Sequence, residues 1–248
     1  MIDAGLRQWC APLGNDCRSS NQSTDGSLPC SHDLMDESIW PLAGLAVRTP
    51  RLRLRYVTDE LAAGLAQLAA RGVHDPATMP FTTPWTDVAS PELEQNTLRY
   101  FWRNRSETSA EHWDLNLAAD VDGTLVGVCS ISTDGFGQHR SAETGSWIGI
   151  RYQRSGLGRE MRHAALHLIF DGFGAEQATT KAWHDNAASL ALTHSLPYVQ
   201  NGSSQHTRRD RTDLLLHFAM SRRRWQAVRR DDISLHGIGA VRTLLGLP

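Results

Sequence analysis

Gln153-Arg154-Ser155-Gly156-Leu157-Gly158 constrains the fold of this 248-residue chain more than any other segment, because it joins an apolar strand to an amphipathic helix. Upstream, Thr144–Ile150 reads as a buried strand, with Trp147, Ile148 and Ile150 as β-formers. Downstream, Met161, Ala164, Ala165, Leu168 and Ile169 recur at three- and four-residue intervals, the spacing of one helix face. A glycine-bearing loop at such a junction lets backbone N–H groups converge on an anion at the helix N-terminus, where the helix dipole also favours negative charge. Arg154 and Arg159 can add charge-assisted contacts. The segment therefore reads as a cradle for a phosphorylated cofactor.

Two common cradles do not fit. A P-loop needs Lys followed by Ser or Thr after its second glycine, and here Arg159-Glu160 follow. The dinucleotide fingerprint needs three glycines after the first strand of a domain. What the segment resembles is the Gln/Arg-x-x-Gly-x-Gly/Ala signature of the GNAT superfamily of acyl-CoA N-acyltransferases, matched at Gln153, Gly156 and Gly158. A second block agrees. Ala178–Trp183 alternates like a strand, and a helix opened by a capping residue follows. The family's Asn-x-x-Ser, then Leu-Gly-Phe/Tyr, is matched at Asn186, Ser189, Leu196 and Tyr198, with Pro197 in place of glycine. Thr49–Arg55 and Ala142–Trp147 are similar to strands of the RimJ/RimL-like branch, so the resemblance runs from about Thr49 to Trp225.

The resemblance implies an α+β fold, a mixed, mostly antiparallel sheet flanked by helices on both faces. The signature strand and the next one should splay apart, and the pantetheine arm of coenzyme A should enter the gap. Pyrophosphate binding falls to backbone donors of Arg154, Ser155, Gly156, Leu157, Gly158 and Arg159, with Gln153 shaping the turn. Ile148 and Ile150 should pair with pantetheine amides, and Asn186 serves as cap, pantetheine ligand or both. Acyl transfer from a thioester to an amine needs proton removal from the amine and donors for the oxyanion. Glu143 is the candidate general base, weighed against an edge carboxylate. Ser189 is the candidate general acid, weighed against a serine bonding back to its helix, and Tyr198 is a second candidate acid. The implied donor is acetyl-CoA, with succinyl-CoA as alternative if a cationic side chain stands near the acyl end. The implied acceptor is a primary amine on a protein N-terminus or a small molecule. A non-catalytic acyl-CoA sensor is the reading from another class.

Formal charge is −2 and the sequence pI about 6.6, against a general nucleic-acid surface. Lys181 is the only lysine. No uncharged stretch is long enough to span a membrane and no secretory leader stands at the N-terminus, so the expected place is the cytoplasm; an oligomer is not indicated. Residues 1–43, rich in Ser, Asn, Asp, Gly and Pro, read as a mobile extension or an over-extended start, 44–228 as the acyltransferase domain and 229–248 as a tail. Cys10, Cys17 and Cys30 with His32 lack the paired spacing of a zinc site, so no metal is expected; Cys129 reads as an inert core residue.

Along the chain, the pattern predicts a strand over Leu52–Val57, a helix capped by Asp59 and a proline-containing loop over Val73–Asp87. A helix after Ser90, a hairpin turning at Val121-Asp122-Gly123, late strands at Tyr198–Gln200 and Asp213–Met220 around a polar loop, and a short helix near Trp225 follow. His74, Asp75, Phe81, Trp85 and Trp113 are candidates for the acceptor pocket, although aromatic residues are more often plain packing. His184 and His194 read as exposed helix histidines. The arginines at 208, 209, 211 and 222–224 read as solvated faces.

Overall fold

The computed structural model describes residues 36–248; most of the expected N-terminal extension, with Cys10, Cys17, Cys30 and His32, lies outside the described residues. The chain runs β1 (Ala46–Arg48), β2 (Arg53–Tyr56), α1 (Asp59–Ala70), α2 (Glu92–Ser106), β3 (His112–Val121), β4 (Thr124–Asp134), α3 (Phe136–His139) and β5 (Ser141–Ile148). It continues through α4 (Leu157–His167), β6 (Gln177–Trp183), α5 (Ala187–His194), β7 (Val199–Arg208), β8 (Arg211–Ser221), α6 (Arg222–Gln226), β9 (Ser234–His236) and α7 (Ile238–Leu244). The nine strands form one mixed sheet in the order β7-β8-β6-β5-β4-β3-β2-β1-β9. β5 and β6 are parallel and every other neighbouring pair is antiparallel.

Period-two alternation gives the sheet two different faces. Leu115, Leu117, Cys129, Ile131 and Ala142 point into the main core with Met161, Ala164 and Ala165 of α4. Ala118 and Val128 point the other way, against Leu65 and Leu68 of α1 and Phe101 of α2. The register sorts that second face into cross-strand rows: Ala118–Val128–Trp147, then Asn116–Ser130–Gly145, then Asp114–Ser132–Glu143. Apolar side chains thus give way to polar ones from one end of the strands to the other. A cavity of about 880 Å³ opens at the polar end, lined by polar and charged residues.

Local chemistry sets the element ends. Thr58, not Asp59, caps α1, its hydroxyl accepting from Leu61 N–H; Asp59 sits in the first turn, where the dipole favours it. Asp122 and Gly123 both take positive φ, 48° and 81°, as the tight turn between β3 and β4 demands. Pro197 cannot supply the positive φ of the usual glycine, and Tyr198 N–H instead donates to Leu196 O at 2.7 Å, a three-residue turn centred on a proline.

Several expectations give way. Residues 234–244, read as part of a tail, build β9 on the sheet edge and α7, with Val241 and Leu245 fully buried. The fold also begins before residue 44, because Leu42 is buried in the main core. The presumed polar loop between the late strands is a long hairpin: β7 is an edge strand exposed on both faces, so its polar run Asn201–Thr207 carries no alternation to read. Trp113, expected near the acceptor, lies in the main core against Phe136 and Phe173 at 5.8 and 5.5 Å between centroids. Arg208 is not a solvated face either: it is buried, stacks 4.5 Å over Trp183 and binds Asp185 and Asp213.

Candidate active site

After Ile148 the chain leaves the sheet through a 3-10 turn at Ile150–Tyr152, and α4 starts at Leu157. Arg154 and Gly156 hold left-handed backbone at φ 59° and 82°, which folds the loop back on itself. Gln153 pins it from inside, its side-chain N–H donating to Val73 O and Ile148 O at 2.8 Å each. The first intrahelical bond is Glu160 N–H to Gly156 O. Consequently the backbone N–H groups of Arg154, Ser155, Gly156, Leu157, Gly158 and Arg159 have no acceptor among the described residues. Six consecutive free donors at a helix N-terminus form an anion nest.

Sequence reasoning missed one part of this loop. Glu160, buried in the first turn of α4, accepts from Thr49 Oγ1 at 2.5 Å, from Arg51 N–H at 2.9 Å and from Arg51 Nε at 2.6 Å. Burial pushes its carboxyl up, but these hydrogen bonds together hold it below the ordinary glutamate value. Arg51 Nη1 also reaches Ser155 O at 3.0 Å. The half-exposed Arg51 guanidinium therefore stands beside the nest as a further cation.

The gap beside β5 is real. Parallel pairing with β6 stops at Glu143 and Thr179; beyond it, Thr180 Oγ1 donates to Thr144 O at 3.1 Å and Thr144 Oγ1 to Thr179 O at 3.2 Å, side chains replacing ladder bonds. On the other edge, Gly149 N–H donates to Val126 O. The alternation of an antiparallel ladder then turns the N–H and C=O of Ser146 and the N–H of Ile148 into the gap, while the Ile148 C=O is held by Gln153. Ser146 is exposed although it sits mid-strand. Ile148 faces the gap, but Ile150 does not. It lies in the 3-10 turn with its N–H spent on Gly72 O at 3.0 Å, because Gly149 has already bent the chain away.

On the opposite face, the cavity meets the gap at its closed end, since Glu143 and Thr179 line both. Glu143 is partly exposed and pairs with Lys181 at 2.8 Å. Across Ser132 stands Asp114, which sequence reasoning passed over; polar residues at alternate positions of β3 and β4 (Asp114, Asn116, Ser130, Ser132) were the available signal. Asp114 Oδ2 accepts from Tyr100 and Asn104, both at 3.0 Å, while its buried Oδ1 has no partner among the described residues. Burial raises the Asp114 carboxyl above the ordinary aspartate value, against the pull of those hydrogen bonds. Glu107 and Asp134 add to an acidic lining, Asp134 being paired with His112. At the apolar end, His74, Phe81, Trp85 and Trp147 form an aromatic chain, with centroids 5.6, 5.1 and 6.0 Å apart.

The remaining candidates flank the gap from the β6 side. Asn186 Oδ1 caps α5 by accepting Ser189 N–H at 3.1 Å, so the cap reading holds for that oxygen. Ser189 is half-buried. Tyr198 packs on the main core and its hydroxyl is buried without a partner. Cys129 is buried and its thiol is pushed up to about 12 by burial, which makes it a poor nucleophile. His184, Asp185 and Asp213 come close enough together to suggest a metal site, but Arg208 already binds both carboxylates and supplies the positive charge there.

Residues 51–196 match the family model described as the acetyltransferase (GNAT) domain. Solved structures share the fold. A RimL ribosomal L7/L12 alpha-N-protein acetyltransferase in complex with coenzyme A aligns at TM-score 0.58 and 16% identity, over 70% of this chain and 95% of that one. A chimera of the spermidine N-acetyltransferase SpeG from Vibrio cholerae and hSSAT aligns at TM-score 0.57 and 15% identity, covering 73% and 99%. A GNAT-family acetyltransferase from Bacillus anthracis aligns at TM-score 0.56 and 15% identity, covering 71% and 98%.

Proposed function

Because this chain belongs to the GNAT acetyltransferase superfamily, we propose that it moves an acyl group from an acyl-CoA thioester to a primary amine by direct attack. The nest of six amides at residues 154–159, without acceptors among the described residues, is the observation that carries this reading. Diphosphate is the anion such a nest suits, with Arg51 beside it. From there the gap runs along Ile148 and Ser146 towards Thr144, about 13 Å at roughly 3.3 Å per residue. An extended arm bearing amides can pair with the free strand edge and bring its thioester to the closed end of the gap.

There the acidic cavity supplies the other partner. Its carboxylates, Glu107, Asp114, Asp134 and Glu143, outnumber its one arginine, Arg103, a balance that favours an acceptor arriving as an ammonium ion. The amine must lose a proton before it attacks, and Asp114 and Glu143 are the groups placed to take it, directly or through water. Of the two, Asp114 is the better base, since it is half-buried, its carboxyl is raised by desolvation and its Oδ1 has no partner among the described residues, whereas Glu143 is tied to Lys181. The gap-facing N–H of Ser146 is a donor for the developing oxyanion. Carbon–nitrogen bond formation then releases the thiolate, which takes a proton from Ser189, with Tyr198 as the second candidate. The same proposal places the work in the cytoplasm; no helix among the described residues is long and apolar enough to cross a membrane.

The test is thiol release from acyl-CoA in the presence of a panel of amines: peptide N-termini, polyamines and small monoamines. Acceptor-dependent release is the expected result. Tight coenzyme A binding without turnover on any amine would replace this reading with the sensor.

A further inference from the structure

Two arginines are buried in the described part of the molecule, and they are treated differently. Arg208 is held by two carboxylates. Arg162, 5% exposed, has no carboxylate partner among the described residues, and its Nη1 is sealed from solvent without a hydrogen bond. A buried guanidinium left unpaired costs several kcal/mol, so buried charges are normally matched. The position of this one is informative. Gly158, one turn earlier on α4, faces β5, where an added Cβ would lie 3.6 Å from Ile148 Cδ1. Four residues on, Arg162 shares that face. Its charge pulls the Cys129 thiol down, against the larger upward push of burial, and Cys129 on β4 is the register partner of Ser146 on β5. Its guanidinium also lies 5.9 Å from the Tyr198 ring, which belongs to the β6 side. Arg162 thus stands on the α4 side of the sheet, between the β4–β5 pair that carries Ser146 and the Tyr198 ring, one turn beyond the anion nest.

We propose that Arg162 is a receptor for a carboxylate at the far end of the donor's acyl group, so that the preferred donor is an ω-carboxyacyl thioester of the succinyl class. This rests on the groove binding an acyl-CoA, as proposed above. Guanidinium and carboxylate match as two parallel hydrogen bonds, and an acetyl group leaves that fork empty. The Tyr198 ring beside it restricts access by water and strengthens the pair.

Binding decides the matter without knowledge of the acceptor. Calorimetric titration of the whole protein with coenzyme A, acetyl-CoA and succinyl-CoA should show succinyl-CoA bound at least about tenfold more tightly than acetyl-CoA. Arg162→Met should bring that ratio close to one while coenzyme A itself binds as before, and Arg162→Lys should keep part of the preference because it keeps the charge. Equal affinities for the two thioesters in the wild type would overturn the proposal while leaving the groove intact. Free coenzyme A bound more tightly than either thioester would also overturn it, assigning the guanidinium to the thiolate. Failure of all three ligands to bind would remove the groove and both readings with it.

Discussion

Gly156 shows how one residue can control ligand affinity. Its φ of +82° is open to glycine at little cost and penalises alanine by about 1–2 kcal/mol. An added Cβ would also stand 3.3 Å from Arg51 Nη2. Gly156→Ala should therefore open the nest and weaken coenzyme A binding about tenfold by calorimetry, whereas Gly158→Ala, with ordinary φ and 3.6 Å of room, should change it little. Unaltered affinity in Gly156→Ala would detach the nest from the ligand. The two candidate bases separate by pH. A carboxyl raised in the fold is ionised only above its raised value, so turnover that depends on Asp114 falls as pH drops through a point above the usual aspartate range. Asp114→Asn should abolish that acidic limb and cut turnover by about 10² or more. It should also raise stability at neutral pH, because the fold disfavours the ionised form there. Glu143→Gln should leave the limb in place; if the limb vanishes with Glu143 instead, the assignment reverses.

The cofactor loop is secured from a distance by the segment just before β2. Glu160 joins the first turn of α4 to Thr49 and Arg51, and its carboxyl sits below the ordinary value in the folded chain. A depressed carboxyl contributes stability that is complete above the unfolded value and is lost as pH falls through the folded one. Glu160→Gln should thus cost about 1–3 kcal/mol in urea unfolding at neutral pH, with the deficit shrinking in acid below the usual glutamate range. A deficit that stays constant down to low pH would assign it to shape rather than charge. This contact was not legible in the sequence, since 109 residues separate Arg51 and Glu160 and neither breaks its local pattern. The loop itself was legible, because glycine positions, strand and helix period are all local. Ile150 was misplaced because β-propensity does not report where a glycine bends the chain out of the sheet.

At the scale of the whole molecule, the polar end of the face formed by β3, β4 and β5 and one interrupted strand pair decide where chemistry can occur. The order of motifs and elements told as much as the mixed sheet and its gap, but it could not tell the C-terminal segment from a tail. Its strand is three residues long and pairs with β1, nearly two hundred positions away. That segment is structural. Val241 and Leu245 are fully buried, so Leu245→Ala should destabilise the fold by about 2–5 kcal/mol. A change within about 0.5 kcal/mol would return those residues to a dispensable tail. The most direct check on the account as a whole is the amide spectrum of isotopically labelled protein titrated with coenzyme A. The N–H resonances of residues 154–159 should shift together and become protected from exchange, followed by those of Ser146 and Ile148. Saturating coenzyme A that leaves these amides unmoved and exchanging would contradict the account.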